Sequence, residues 1–154
     1  MTKENREIER KFLVSNDRWR KNAGTATHIL QGYLARGRKA TVRVRITDGK
    51  AATLTVKSRE LGPSRSEFEY RISAKDARAL LSLCGRSLIE KQRYPVAYGT
   101  LAWEIDVFSG ANEGLVLAEV ELNNVDDPLV LPPWVGKEVT SDPRYRNSSL
   151  ASSE

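Results

Sequence analysis

The fold is predicted from the stretch Glu7–Val14, which reads Glu-Ile-Glu-Arg-Lys-Phe-Leu-Val. In a β-strand, side chains alternate between the two faces, so Glu7, Glu9 and Lys11 point to one side at intervals of roughly 7 Å. Two carboxylates and an ammonium on one face are costly in water-poor packing unless other charges lie in front of them. The stretch therefore predicts a strand that faces a charged ligand or further charged side chains.

Length and charge narrow the class of protein. The chain has 154 residues, which favours one domain over residues 1–154. Its net charge is +5, but the 25 basic residues are spread among 20 acidic ones rather than gathered in a run. Mixed charge of this kind suits a small phosphate-rich ligand better than a specific nucleic acid.

The sequence gives no sign of export or membrane insertion. Met1–Arg6 leads into a charged strand without an apolar segment, so no signal peptide is predicted. No stretch approaches the roughly 20 apolar residues of a membrane span. The single cysteine, Cys84, excludes an internal disulfide framework and fits a reducing compartment. We expect a cytoplasmic protein.

Alternation of apolar and polar residues predicts eight strands. They run over Glu7–Val14, Ile29–Leu34, Thr41–Ile46, Thr53–Lys57, Ser66–Ile72, Leu88–Tyr94 (stopped by Pro95), Leu101–Phe108 and Leu115–Leu122.

Helical patterns are short and few. They predict helices over Ser15–Lys21, over Ala74–Cys84 behind a Ser73 cap, and from Asp142 to about Leu150. The segment from Leu122 to Asp142 contains prolines at 128, 132 and 133 and is predicted to be irregular.

Eight strands and three short helices favour an α+β fold built on an antiparallel sheet. Eight is also the number at which a closed β-barrel has an interior just wide enough for side chains or one small ligand. Closure would remove the exposed edges of the sheet. We therefore expect an eight-stranded closed β-barrel with a few flanking helices.

Charges recur in like-signed pairs two residues apart, and each pair therefore shares a face of its strand. The pairs are Glu7/Glu9, Arg43/Arg45, Glu67/Glu69, Lys91/Arg93, Glu104/Asp106 and Glu119/Glu121, and Lys57 shares the face of Thr53 and Thr55 on its own strand. A solvated outer face explains any one of these strands, but like charges on one face destabilise a sheet unless counter-charges face them.

The alternative is that these faces line the inside of the barrel. A dry interior of this kind is untenable, because unpaired buried charges cost several kcal/mol each. A wet interior that holds a polyanion and divalent metal ions resolves the conflict. With one histidine, one cysteine and many carboxylates, the metal expected is Mg²⁺ or Mn²⁺ rather than Zn²⁺.

Successive segments resemble, in order, the motifs of the CYTH superfamily, also called the triphosphate tunnel metalloenzymes. The pattern E-x-E-x-K at Glu7–Lys11 is the first. The others are Gln31–Leu34, Val42–Arg45, Leu54–Ser58, Glu67–Tyr70, Glu90–Tyr94, Trp103–Phe108, Ala118–Leu122 and Pro133–Thr140. The resemblance covers residues 7 to 151 and is greatest to the small members that hydrolyse inorganic triphosphate.

This resemblance implies a division of roles. The cations Arg43, Arg45, Lys57, Lys91 and Arg93 would hold a linear triphosphate, with Lys11 beside the attacked phosphoryl group. Metal ligands would be Glu119, Glu121 and Asp106 for one ion, and Glu7 and Glu9 for a second ion whose water attacks.

Other roles stay open at this point. Glu67 and Glu69 are either outer metal ligands or partners of the arginines, and Glu104 supports the site. Tyr33 either donates to the substrate or packs in the core. Some relatives carry a lysine in the C-terminal helix that reaches the tunnel. This chain offers only Arg144 or Arg146 there.

Two other classes of function remain. The same lumen could bind polyphosphate without catalysis, or cleave thiamine triphosphate or cyclise ATP to cAMP. A basic nucleic-acid binder would show affinity that falls steeply with salt and little metal dependence. His28, Cys84, Trp103 and Trp134 are interpreted as surface or packing residues. We expect a monomer or homodimer.

Overall fold

The computed structural model describes residues 5–151. The predicted domain covers residues 1–154, and the prediction that no signal peptide is present concerns Met1–Arg6. Both therefore include residues outside the described range. The nine strands are β1 (Arg6–Val14), β2 (Thr27–Arg36), β3 (Ala40–Thr47), β4 (Ala51–Ser58), β5 (Ser64–Ile72), β6 (Leu88–Tyr98), β7 (Leu101–Ser109), β8 (Val116–Glu121) and β9 (Val135–Glu138).

Eight of these strands form a closed antiparallel barrel, which confirms the predicted architecture. Around the barrel the order is β1-β5-β4-β3-β2-β6-β7-β8 and back to β1. Residues Arg6–Ile8 of β1 pair with β5, where Arg6 lies opposite Ser66, and Glu9–Leu13 pair with β8 on the other side of the strand. Closure therefore joins the first strand of the chain to one of the last.

The ninth strand corrects the prediction of an irregular segment between Leu122 and Asp142. β9 extends the sheet beside the second half of β1, where Phe12 lies opposite Glu138. It has only four residues and includes Gly136, so it shows no alternating pattern from which a strand could be predicted.

The sixth strand was predicted to stop at Pro95. In the structure it continues to Tyr98. Proline cannot donate a hydrogen bond to a neighbouring strand, so it is tolerated where one side of a strand is free. β2 pairs with β6 only as far as Arg93, so beyond that residue this side needs no ladder donor. Instead, the carbonyl of Pro95 accepts a hydrogen bond from the backbone N–H of Gly24 at 2.8 Å.

The helices are shorter than predicted. Residues Asp17–Asn22 form a 3₁₀ helix capped by Asn16. The helix α1 (Ala74–Leu81) ends at Leu81 rather than at the predicted Cys84. The predicted C-terminal helix is broken into a 3₁₀ turn, Pro143–Tyr145, and a single helical turn, α2 (Asn147–Leu150). In the described part of the chain, no helix is long and apolar enough to cross a membrane.

The apolar core lies mainly outside the barrel, between its outer face and the flanking segments. Trp103 and Phe12 on the strands pack with Trp19 of the 3₁₀ helix and Trp134 of the segment before β9. On the opposite flank, α1 covers the outer faces of β3 and β4. The barrel interior is thereby left to polar side chains.

One end of the interior is the exception. Tyr33, Ile89, Phe108 and Leu117 form a buried apolar layer there, and Ala151 from the C-terminal segment packs against it. The C-terminal segment therefore closes this end of the barrel, and the tunnel opens mainly at the other.

The cap of α1 gives a first test of the fold. The Ser73 hydroxyl accepts a hydrogen bond from the Asp76 N–H at 3.0 Å. Replacement by alanine should lower the free energy of unfolding by about 1 kcal/mol, because one helix donor loses its partner. Chemical denaturation of Ser73→Ala beside Ser73→Asp, which keeps a capping oxygen, measures it. Equal losses in both variants would contradict the assignment.

Candidate active site

The predicted charged faces meet inside the barrel. They line a cavity of about 340 Å³ that opens at one end of the tunnel. Of its lining residues, only Asn147 was not predicted from the sequence. The lining consists of Glu7, Glu9, Arg43, Arg45, Lys57, Glu67, Glu69, Arg93, Glu104, Glu119, Glu121 and Asn147.

Two arginines of β3 dominate one wall of the cavity. Arg43 is buried and contacts the hydroxyl of Thr55 at 3.3 Å, while the Nε–H of Arg45 donates to the side-chain oxygen of Gln31 at 2.8 Å. Among residues 5–151, neither guanidinium has a carboxylate within ion-pair distance. Burial, together with repulsion from Arg43 and Arg93, lowers the pKa of Arg45 to about 9. This wall lacks negative charge.

Carboxylates dominate the facing wall. β8 lies directly across the barrel from β3, and β1 is next to β8. The register places Glu9 opposite Glu121 and Lys11 opposite Glu119. Burial and the charges of Glu119 and Glu7 raise the pKa of Glu9 well above its usual range. At Glu9, burial and the two acidic neighbours outweigh the attraction of Lys57 and Lys11.

Glu119 is the best compensated of these acids, although not completely. Burial opposes its ionisation, but Lys11 and Arg93 outweigh burial and hold its pKa well below the usual range. Its Oε1 atom is nevertheless buried without a hydrogen-bond partner in the described structure, and the Lys11 ammonium lies 3.9 Å from that atom. A carboxylate oxygen is thus left available inside the site.

Lys57 links the cation wall to β1. Its ammonium donates to both carboxylate oxygens of Glu7, at 3.0 and 3.2 Å, and lies 3.4 Å from Glu67. Burial disfavours both charges, yet the pair lowers the pKa of Glu7 and raises that of Lys57. Glu7 is therefore already neutralised by a lysine, unlike Glu9.

Lys91 and Asp106 lie behind the cavity rather than on its surface. Their side chains form an ion pair of 2.7 Å, and both are almost completely buried. Asp106 also accepts two hydrogen bonds from the Arg93 guanidinium, at 2.7 and 2.9 Å. Burial lowers the pKa of Lys91 to about 7 against this attraction. Both oxygens of Asp106 face cations, in a position where the sequence predicted a metal ligand.

The C-terminal segment supplies the back of the site. The Lys11 ammonium donates to the backbone carbonyl of Tyr145 at 3.0 Å, and the Lys91 ammonium donates to the side-chain oxygen of Asn147 at 3.1 Å. Of the two arginines left open above, Arg146 lines a smaller cavity of about 30 Å³ at this end. Arg144 is exposed instead and pairs with Asp142.

The lining of this smaller cavity includes two residues, Tyr33 and Arg65, whose positions the sequence did not settle. Tyr33, Arg65 and Lys11 line it. Tyr33 also belongs to the buried apolar layer, so it both packs in the core and reaches the tunnel. Arg65 precedes the predicted start of the fifth strand at Ser66, although extending the alternation of β5 back from Glu67 would have placed it on the inner face.

The open mouth of the tunnel is acidic. Glu69 and Glu121 are exposed there, and the side chain of Glu104 is half exposed and lies 3.5 Å from the Arg93 guanidinium. Burial and the nearby charges of Glu7 and Glu104 raise the pKa of Glu121. Acidic mouth and cationic wall together suit a polyanion that is accompanied by a divalent cation.

The donor set fits a hard metal ion such as Mg²⁺. Within residues 5–151, no three acidic, thiol or imidazole groups converge into a ready metal site. Mg²⁺ does not need one, because it is usually held by one or two carboxylates together with waters and substrate phosphates. Glu9 is short of positive charge and Glu119 has an unbonded oxygen, so both suit this mode of binding.

The residues interpreted as structural are confirmed in that role. Cys84 is free and buried, and Trp103 and Trp134 are core residues. His28 lies on the partly exposed outer face, where its Nε2 contacts Glu90 at 2.6 Å.

Fold and site together define a β-barrel protein with a charged binding tunnel that is closed at one end. The CYTH domain family model matches residues 5–152, so this chain belongs to the CYTH family. Membership among the triphosphatases of this family implies dependence on a metal ion.

Two similar proteins are inorganic triphosphatases. The chain is 44% identical over 146 residues to an inorganic triphosphatase of Acetivibrio thermocellus, covering 94% of this chain and 92% of the relative. It is 38% identical over 150 residues to an inorganic triphosphatase of Nitrosomonas europaea, covering 94% of this chain and 96% of the relative. The resemblance predicted from the motifs is thereby confirmed.

Solved structures agree with the fold. A crystal structure of an inorganic triphosphatase superimposes with a TM-score of 0.69 at 34% identity, covering 96% of this chain and 99% of that one. A protein from Pyrococcus horikoshii superimposes with a TM-score of 0.60 at 16% identity, covering 75% and 77% of the two chains. The second comparison shows the shared fold alone.

Proposed function

We propose that this chain hydrolyses inorganic triphosphate to diphosphate and orthophosphate inside the tunnel, with a divalent metal ion. The observation that carries the proposal is the pair Arg43 and Arg45, two inward-facing guanidinium groups without a carboxylate partner in the described structure. A planar guanidinium binds phosphate oxygens bidentately. The similar inorganic triphosphatases support the choice of substrate.

The lining of the cavity favours an inorganic substrate over a nucleotide or a thiamine ester. Every residue that lines the larger cavity is charged except Asn147, which is polar. An adenine or thiazole ring would find no apolar or aromatic surface there on which to stack. A small, highly charged substrate such as inorganic triphosphate fits this charged cavity.

The chain's own side chains act on the phosphates. Arg43, Arg45 and Lys57 bind and orient the triphosphate from one wall of the tunnel. A water molecule attacks the terminal phosphorus, the bond to the bridging oxygen breaks, and diphosphate leaves. Lys11, held by the Tyr145 carbonyl, stabilises the charge that develops at the attacked phosphoryl group.

Glu9, Glu119 and Glu121 would hold the metal, with Glu7 and the substrate phosphates completing its surroundings. We propose Mg²⁺ or Mn²⁺ and two ions per site. When bound, such an ion neutralises phosphate charge and lowers the pKa of a water molecule. Glu67, Glu69 and Glu104 would support the site from the mouth.

Lys91 and Asp106 take a different part. Asp106 bridges Lys91 and Arg93, so we propose that it keeps the Arg93 guanidinium in place instead of binding metal. Lys91 has no surface on the larger cavity, and its contribution to substrate binding is then electrostatic. One domain over residues 1–154, a cytoplasmic location and a monomeric or homodimeric state remain parts of the proposal.

Phosphate release tests the proposal. The purified protein is incubated with inorganic triphosphate, ATP and thiamine triphosphate, each with Mg²⁺, Mn²⁺ or EDTA. We expect turnover of inorganic triphosphate with at least one of the metals and none in EDTA, because a divalent ion would supply the water activation and charge stabilisation that the hydrolysis step needs.

Other outcomes would identify a different function. Binding of triphosphate without turnover in either metal would make the chain a polyphosphate-binding module. Faster turnover of ATP or thiamine triphosphate would move the substrate to that class. Tight nucleic-acid binding that falls steeply with salt would contradict the tunnel as the binding site.

A further inference from the structure

Gln31 is a buried polar residue of the lumen to which no role has yet been given. It lies on β2, where the register places it directly opposite Arg45 on β3 and Ile89 on β6. Its side chain is fully buried. Because neighbouring Lys91 and Arg93 on β6 also point inward, Gln31 lies among cations rather than among acids.

The contact with Arg45 has only one possible orientation. A guanidinium carries donors only, so the atom that faces the Arg45 Nε–H at 2.8 Å must be the amide oxygen of Gln31. The Nη groups of Arg45 are then turned toward the cavity that it lines. In the described structure Arg45 has no other side-chain hydrogen-bond partner, so this amide is what fixes its direction.

Two other cations of the tunnel are held differently, whereas Arg43 contacts only the neutral Thr55 hydroxyl. Arg93 is held by Asp106, and Lys57 by Glu7, through contacts that also neutralise part of their charge. An amide holds Arg45 without neutralising it. The full positive charge of Arg45 is thereby kept for an anion.

The remaining end of the amide also lacks a partner. The Nε2 group of Gln31 is buried and makes no hydrogen bond in the described structure. Leaving a buried donor unsatisfied is unfavourable, because the group loses its hydrogen bonds to water without gaining a partner. A water molecule held by an anion bound at Arg45 would satisfy this donor when substrate occupies the tunnel.

We infer that Gln31 is a positioning residue for triphosphate, which aims the charged Arg45 guanidinium into the tunnel while leaving its charge free. The inference rests on the proposed function in that inorganic triphosphate is the anion. It predicts that Gln31 acts on substrate affinity, and that it acts only through Arg45.

Two substitutions separate direction from charge. Gln31→Met has a similar volume but makes no hydrogen bond, so it should weaken triphosphate binding about tenfold, in line with the loss of one hydrogen bond to a charged group. Gln31→Glu keeps the acceptor but neutralises Arg45, so it should weaken binding further. Gln92→Glu, on the outer face of β6, makes the same charge change outside the tunnel and should leave affinity unchanged.

Calorimetric titration of the folded proteins with inorganic triphosphate in EDTA measures affinity without turnover. Steady-state kinetics with Mg²⁺ then separates KM from kcat. We expect KM to rise about tenfold in Gln31→Met with a smaller change in kcat. In an Arg45→Gln background, Gln31→Met should add nothing to the loss.

Three results would overturn the inference. The first is wild-type triphosphate affinity in Gln31→Met, and the second is Gln31→Glu binding triphosphate at least as tightly as Gln31→Met. The third is a double variant of Gln31 and Arg45 whose loss of affinity equals the product of the two single losses. Failure of the proposed function looks different. In that case the wild type binds triphosphate, with Gln31 and Arg45 coupled, yet releases no phosphate with either metal.

Discussion

Replacing Glu9 with glutamine is expected to reduce triphosphate turnover by roughly 10²–10³-fold, the usual cost of losing one charged group that acts on the transition state. The same substitution should leave the protein at least as stable as the wild type. Glu9 lies in a partly buried position near Glu7 and Glu119, so its charge is opposed by desolvation and by both neighbours. A neutral amide removes that repulsion.

The combination of the two results is what makes the test sharp. A loss of activity through misfolding would lower the midpoint of thermal unfolding, whereas a loss of metal binding would not. Phosphate release and thermal unfolding are measured on Glu9→Gln beside Glu113→Gln, an exposed loop residue that should change neither. Full activity in Glu9→Gln would remove this residue from the site, and a large fall in stability would contradict the repulsion.

The second large effect concerns stability. Asp106→Asn is expected to lower the free energy of unfolding by about 3–5 kcal/mol, because it leaves the buried cations Lys91 and Arg93 without their counter-charge. For a chain of this size, the midpoint of thermal unfolding should fall by about 10 °C. Bound triphosphate should restore part of the loss, since it brings negative charge to Arg93.

The loss in Asp106→Asn should depend on pH in a definite direction. Burial already lowers the pKa of Lys91 to about 7 in the folded wild type, below that of the unfolded chain. Without Asp106 the folded pKa falls further, so the unfolded state binds more protons over a wider range. The stability difference from the wild type should therefore grow as the pH is lowered below about 7.

Asp142→Asn is the matched control for this experiment. Asp142 pairs with the exposed Arg144 and caps a 3₁₀ turn, and asparagine caps equally well. Its thermal unfolding should match that of the wild type at every pH. If Asp106→Asn also unfolds like the wild type, Asp106 does not hold the two cations as the distances indicate.

Much of the tunnel could be predicted because each strand by itself shows which charged residues share a face. Period-two alternation assigns each charged pair to one face, and like charges such as Arg43 and Arg45 exclude ordinary solvated packing as a group. Nothing in a single strand says how strands pair. The difference between Arg93, which reaches the cavity, and Lys91, which lies behind it, depends on the register of β6 with β7.

The missed residues have physical explanations of the same kind. Gln31 carries no charge, so a search for charged faces passes over it. Asn147 is brought to Lys91 by tertiary packing across 56 residues and leaves no local pattern. Pro95 indicates the end of a strand by its own chemistry, and only the free side of β6 beyond Arg93 makes it tolerable.

The pairing of β1 with β8 and β9 has a consequence for folding during synthesis on the ribosome. Arg10 and Glu138, bonded side by side, are separated by 128 residues of chain. Lys11 meets the Tyr145 carbonyl across 134. A ribosome therefore releases the first strand long before its partners exist, and contacts of such sequence separation slow folding. Until β8, β9 and the segment around Tyr145 have been made, the nascent chain has neither a closed barrel nor the carbonyl that holds Lys11. The first strand of the barrel therefore waits for segments encoded far downstream before it completes the site.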